Sequence, residues 1–143
     1  MSIRIHRLTP MAHVADVEAS ARFYELFGFV VESRLQHAGR THWAMLASKE
    51  ARLMLAAASG PIAPEQQAIL FYLYSPDVAT LRSYLLRNGL FDGGSYCGQA
   101  GPNNGRRVAF EITHPEYMEE GEFRVSDPDG YCLLIGQCAS SAG

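Results

Sequence analysis

Five histidines, a run of carboxylates late in the chain and a scatter of tyrosines are the side chains of this sequence that could do chemistry. Glu111 or Glu122, combined with His13 or His42, would supply general acid–base catalysis, because imidazole and carboxylate groups can both exchange protons near neutral pH. Glu116, Glu119, Glu120 and Glu122 lie close to Tyr117, and that combination would suit a cationic ligand held by charge and ring face. A solvated acidic loop accounts for the same four residues. His13 shares strand parity with Thr9 and Met11, whereas His6 has the other parity. His37 and His114 fall in or near turns, and His42 adjoins Trp43. A solvated or hydrogen-bonded structural histidine is the simpler account of each. Cys97, Cys132 and Cys138 make an odd set, with no Cys-x-x-Cys pair and no histidine at zinc-ligand spacing, so reduced thiols are expected.

Composition narrows the classes further. The chain has 143 residues, 48% of them hydrophobic and 19% charged, which fits one compact domain or two very small modules sharing a core. That apolar fraction is too high for disorder. Fifteen acidic residues against twelve Lys and Arg, with no basic cluster longer than Arg106-Arg107, argue against a nucleic-acid surface. The longest apolar stretch, residues 68–74, is far short of a membrane span. Residues 1–18 lack the basic start and continuous apolar segment of a secretory signal, so a cytoplasmic location is expected.

A repeat organises the elements that must position these residues. Asp16 and Asp77 are 61 residues apart, and so are Gly28 and Gly89, with Phe23 and Tyr84 on the same register. Each aspartate can cap a helix start, and each glycine can take the left-handed conformation that ends one. Val17, Ala21, Tyr24 and Phe27, then Val78, Leu81 and Leu85, recur at helical spacing between them. Lead-in strands are predicted over 5–14 and 69–74. Three strands follow each helix: 29–35, 43–47 and 52–56 in the first half, then 108–113, 121–125 and 131–136 in the second. Asp127-Pro128-Asp129-Gly130 is a strong turn signal. Module 1 therefore covers about residues 4–58 and module 2 about 67–138, joined by a linker over 59–66 within a single domain. The second module is 19 residues longer, the excess falling within 91–107 and around 114–120; it reads either as a pocket cover or as plain loop.

The helix pattern Asp16-x3-Ser20-x2-Phe23-Tyr24-x3-Gly28-Phe29, followed by Val125-x-Asp127-Pro128-Asp129-Gly130-Tyr131, resembles the vicinal-oxygen-chelate superfamily. That group holds glyoxalases, extradiol dioxygenases and fosfomycin- and bleomycin-resistance proteins. The resemblance implies an α+β fold of two βαβββ modules whose strands form an open half-barrel around a cavity. In metal-dependent members four His or Glu ligands stand at strand positions that here correspond to Thr9, Met54, Leu70 and Leu134. Three of these cannot bind a divalent ion, and a lone threonine hydroxyl is a poor ligand. No metal or other cofactor is therefore expected, and chemistries that need a Lewis-acid centre are disfavoured. The resemblance is nearest to the metal-free bleomycin-resistance proteins, through Phe23-Tyr24-Glu25, Trp43-x-Met45-Leu46 and Leu53-Met54-Leu55.

Apolar residues in the ligand positions leave an apolar floor, to which strand alternation adds Met11, Ala56, Tyr72 and Cys132. Such a face either packs shut as core or forms a pocket for an apolar or aromatic molecule, with Tyr72, Tyr74, Trp43, Phe110 and Tyr117 supplying rings and hydroxyls. The candidate ligand-binding set is Thr9, Met11, His13, Trp43, Met54, Leu70, Tyr72, Phe110, Tyr117 and Leu134. The expected function is binding or sequestering a small apolar or aromatic molecule, cationic ones included, by a homodimer that engages neither nucleic acid nor membrane. The alternative is a lyase or dioxygenase-like enzyme with a relocated metal or an acid–base site.

Overall fold

Both aspartates of the repeat open helices. In the computed structural model, which describes residues 3–96 and 107–139, Asp16 accepts a hydrogen bond from the Ala19 N–H and Asp77 from the Thr80 N–H, each at 3.0 Å. These caps satisfy N–H groups that have no partner within the helix. Gly28 and Gly89 follow the two helices with φ of +91° and +99°, the conformation that made glycine the expected residue. Contacts divide the chain into two compact units, Met1–Ile62 and Ala63–Gly143.

The first unit runs β1 (Met11–Val14), α1 (Val17–Glu25), β2 (Val30–His37), β3 (Arg40–Ser48) and β4 (Ala51–Ala57). Its sheet has the order β1-β4-β3-β2, with β1 parallel to β4 and the other pairs antiparallel. Alternation decides the two faces. Ala12, Val14, Ala44, Leu46, Leu53 and Leu55 are buried on the α1 side, where Val17, Ala21, Phe23 and Tyr24 meet them. The rings of Phe23 and Tyr24 meet edge to face at 5.2 Å.

The second unit runs through one turn of 3₁₀ helix (Pro64–Gln66), β5 (Leu70–Ser75), α2 (Val78–Arg87), β6 (Phe91–Asp92), β7 (Val108–Ala109), another 3₁₀ turn (Glu116–Met118), β8 (Glu122–Ser126) and β9 (Cys132–Gln137). Its sheet order, β5-β9-β8-β7-β6, repeats the first unit's order and adds β6 as an edge. Leu133, Ile135, Phe123 and Val125 are buried on the face that carries α2, together with Val78 and Leu85 of that helix.

Two strands are shorter than the sequence predicts. The lead-in expected over 5–14 is ladder only from Met11, because Pro10 has no N–H to donate and its carbonyl takes the first bond, from Met54 N–H. The strand expected over 108–113 stops at Ala109. There Phe110 still donates to the Arg124 carbonyl, but Glu111 turns away to Gly94, and pairing resumes only at the Thr113–Glu122 bridge. Arg82 holds this break, donating from Nε to the Phe110 carbonyl at 2.6 Å and from Nη2 to Asp92 at 2.8 Å. The predicted turn forms: Asp127 accepts from the Asp129 and Tyr131 N–H groups, and Gly130 has φ +87°. A Cβ on Gly130 would lie 2.4 Å from Pro64 Cα, so glycine lets the turn seat against the 3₁₀ segment. Most of the extra length expected within 91–107, Cys97 included, lies outside the described residues.

Candidate functional site

Side chains that point away from α1 and α2 form the second face of each sheet. In the first unit, Met11, Met54 and Met45 stand side by side in one row, and His13, Ala56 and Trp43 in the next. Met11 is 57% exposed, and Trp43, Met45 and Met54 are half-buried. The result is a polarizable apolar strip able to mould to a flat ligand. Thr9 is separate from it. Thr9 lines a polar hollow with Arg7, Leu8, Lys49, Glu50 and Arg52.

The same register places Tyr72, Leu134 and Arg124 in one row of the second unit, and Tyr74, Gly136 and Glu122 in the next. Glu122, which a solvated acidic loop would leave in water, is instead 4% exposed. Its two oxygens accept hydrogen bonds from Tyr72 at 2.8 Å and Tyr117 at 2.5 Å. Burial, then the bond to Glu122, pushes the Tyr72 phenol far above its ordinary range; for Tyr117 the bond to Glu122 comes first and burial second. Both hydroxyls therefore remain donors through neutral pH. Gly136 makes the arrangement possible, since a Cβ there would come within 2.6 Å of the Tyr72 hydroxyl and 2.7 Å of Met118 Cε.

Beside this cluster lies a cavity of about 210 Å³, walled by Leu70, Tyr96, Phe110, Arg124, Val125, Ser126 and Cys132 and rimmed by Pro64, Glu65 and Gln67. Tyr96 and Phe110 meet edge to face at 5.3 Å, and the Arg124 guanidinium lies over the Tyr96 ring, 4.3 Å from its centre. Gln67 donates to the Asp129 carbonyl, tying the rim to the turn. Burial raises the Cys132 thiol above its usual range, more than the neighbouring Arg124 lowers it. The thiol is thus neutral at pH 7 and poorly suited to nucleophilic attack.

Of the ten residues singled out from sequence, Met11, His13, Trp43 and Met54 share the open face of the first unit. Leu70, Tyr72 and Leu134 share that of the second, Phe110 walls the cavity, and Tyr117 reaches Glu122. Arg124, Tyr96 and Ser126 were not among them. Parity could have found Arg124, because it stands two residues after Glu122 on β8. Tyr96 lies beyond β6, outside any strand, and carries no sequence signal. The acidic group expected around Tyr117 is split, for Glu116, Glu119 and Glu120 are exposed while Glu122 is buried. Glu111 accepts from Ser95, and His114 bonds to the Glu119 carbonyl. Among the described residues no three His, Cys, Asp or Glu side chains converge as a metal site would require. The residues at the four family ligand positions do not fit a divalent ion. Nor is any described helix long and apolar enough to cross a membrane.

Two open mixed sheets, each with a single α-helix on one face, define the class of protein. The profile of the Glyoxalase/Bleomycin resistance protein/Dioxygenase superfamily matches residues 4–135, and the chain belongs to that family. Among solved structures, a bleomycin-binding protein complexed with bleomycin is similar over 94% of this chain and 99% of its own, at 22% identity and a TM-score of 0.68. The bleomycin-binding protein of bleomycin-producing Streptomyces verticillus, complexed with copper(II)-bleomycin, matches at 16% identity and TM-score 0.67 over 96% and 99% of the two chains. TnmS3, an antibiotic binding protein from Streptomyces sp. CB03234, matches at 21% and 0.58 over 96% and 100%. No curated protein matches the chain significantly.

Proposed function

We propose that this protein binds and sequesters a small, largely apolar or aromatic molecule without a metal cofactor. The observation that carries the reading is the cavity beside Arg124, walled by Leu70, Tyr96 and Phe110. A concave site of apolar walls with a few fixed polar groups is how small-molecule sites are built. Three of the four family ligand positions carry hydrocarbon or thioether groups and the fourth is Thr9, which supports binding rather than Lewis-acid catalysis. The similar structures of bleomycin-binding and antibiotic binding proteins point the same way. Glu122, the best-placed carboxylate for acid–base work, has both oxygens occupied by tyrosine donors, which favours a structural role for it.

We also infer a cytoplasmic homodimer. Ile3, Ile5 and Leu8 are 97%, 86% and 83% exposed, an apolar area that a second chain would cover. Free Cys132 and Cys138 suit a reducing compartment.

A thermal-shift screen with aromatic, polycyclic and glycopeptide compounds, followed by calorimetry on the hits, tests the binding reading. Saturable binding with a raised midpoint is the expected result. A flat response across the whole screen would refute it. Elemental analysis of the purified protein should find divalent metal well below one ion per chain, and a stoichiometric ion would overturn the metal-free reading. Sedimentation at micromolar concentration should give a dimer mass; a mass near 15.7 kDa would refute dimerisation.

A further inference from the structure

We propose that the cavity of the second unit selects a single-ring aromatic carboxylate, whose anionic group is held by Arg124. The assignment rests on the small-molecule-binding reading above and specifies the sign of charge and the size of the ligand.

Among the described residues of the lining, Arg124 is the cation. Its guanidinium face is taken by the Tyr96 ring, which leaves its N–H edge to point elsewhere. Among the described residues, no carboxylate lies within ion-pairing distance of it, and the acceptor it reaches is the Cys132 sulfur, 3.6 Å from Nη1. Sulfur is a weak acceptor, so this contact makes little use of the guanidinium's donors. Glu122 stands on the same face two residues away, but both of its oxygens are held by Tyr72 and Tyr117. A half-buried guanidinium with unused in-plane donors matches a carboxylate, which can accept two parallel hydrogen bonds.

Size and lining decide the rest of the ligand. A cavity of about 210 Å³ is smaller than sites for drug-sized molecules, so it suits one ring. Leu70, Phe110 and Tyr96 provide the apolar walls for that ring. Among the described residues of the lining the carboxylate is Glu65, exposed at the rim, where water screens it.

Calorimetric titration of the full chain with benzoate, benzamide and benzylammonium separates charge from shape. Benzoate should bind at least about tenfold more tightly than either of the other two, and its affinity should fall with added salt. Arg124→Gln should abolish the preference, with loss of about tenfold or more in benzoate affinity. Arg124→Lys, which keeps the charge and loses the fork, should retain part of it and guards against a folding defect in the first variant. Circular-dichroism melts of both variants check that the fold persists. Equal binding of benzamide, or benzoate binding unchanged in Arg124→Gln, overturns the carboxylate assignment and leaves the binding function standing. So does a preference for benzylammonium that Glu65→Gln removes. Failure of all three probes also overturns it, and the broad screen described above then decides separately whether the protein binds small molecules.

Discussion

Met11, Met54 and Met45 occupy in the first unit the register positions that Tyr72, Leu134 and Arg124 occupy in the second. The next row repeats the contrast, with His13, Ala56 and Trp43 against Tyr74, Gly136 and Glu122. Identical sheet geometry thus presents a thioether and indole strip in one copy and a tyrosine–carboxylate–guanidinium array in the other. Strand pairing sets which positions share a face and stay indifferent to what they carry, so one copy could acquire buried polar groups while its twin remained apolar. Such groups must be satisfied to be tolerated, and the second unit supplies the partners.

The comparison can be broken most sharply at glycine. Gly130→Ala combines a left-handed φ with a Cβ driven onto the Pro64 backbone, and should cost about 3 kcal/mol by denaturant titration. Gly39→Ala in the first unit shares the positive φ but meets nothing within 4 Å, so about 1 kcal/mol is expected. A similar cost at both sites would show that the turn does not depend on Pro64.

The carboxylate comes next. Glu122→Ala leaves the half-buried Tyr72 hydroxyl without its acceptor and should lower unfolding free energy by about 2 kcal/mol, whereas Met45→Leu should cost less than about 1.5 kcal/mol. Tyr72→Phe should cost about 1 kcal/mol and Tyr117→Phe, at an exposed residue, less. A double-mutant cycle of each tyrosine with Glu122 measures the two bonds directly.

Alkaline titration sharpens the same contrast. Folding raises the phenol pKa of Tyr72 and Tyr117, so the native state keeps protons that the unfolded chain releases above about pH 10. Stability from these groups is complete below that pH and is lost as pH rises towards the folded values. The double variant Tyr72→Phe/Tyr117→Phe should therefore decline less steeply above about pH 10 than the parent protein. Parallel decline would remove the tyrosine–carboxylate cluster as the cause.

The smallest effect belongs to the first unit. Ser20 Oγ is a buried polar atom without a hydrogen-bond partner among the described residues. Ser20→Ala should be neutral or stabilise by up to about 1 kcal/mol, because it removes an unsatisfied hydroxyl and improves helix propensity. A clear loss of stability would mean the hydroxyl has a partner in solution.

Much of the architecture was legible without coordinates because it rests on local chemistry. Asp16 and Asp77 mark helix starts by capping, Gly28 and Gly89 mark their ends, and the Asp127–Gly130 turn needs only its own residues. The family resemblance pointed to Met54 and Leu134, and alternation set Met11, His13 and Tyr72 beside them, since side chains in a strand alternate with a period of two. Local chemistry could not reveal the break after Ala109, because Glu111 leaves its ladder for a carbonyl 17 residues earlier, at Gly94. Nor could it reveal that Glu122 is buried. A carboxylate can be buried only where donors converge: Tyr72, 50 residues away in sequence, reaches Glu122 through the pairing of β5 with β9 and β9 with β8, while Tyr117 comes from the 3₁₀ turn just before β8. The contact of Arg124 with Tyr96, on the segment after β6, is likewise tertiary. The sequence by itself determined the repeat, the two helices and the parity of the strands. Tertiary structure alone decided which polar groups on those strands hydrogen-bond to one another, because that depends on distances between residues far apart in the chain.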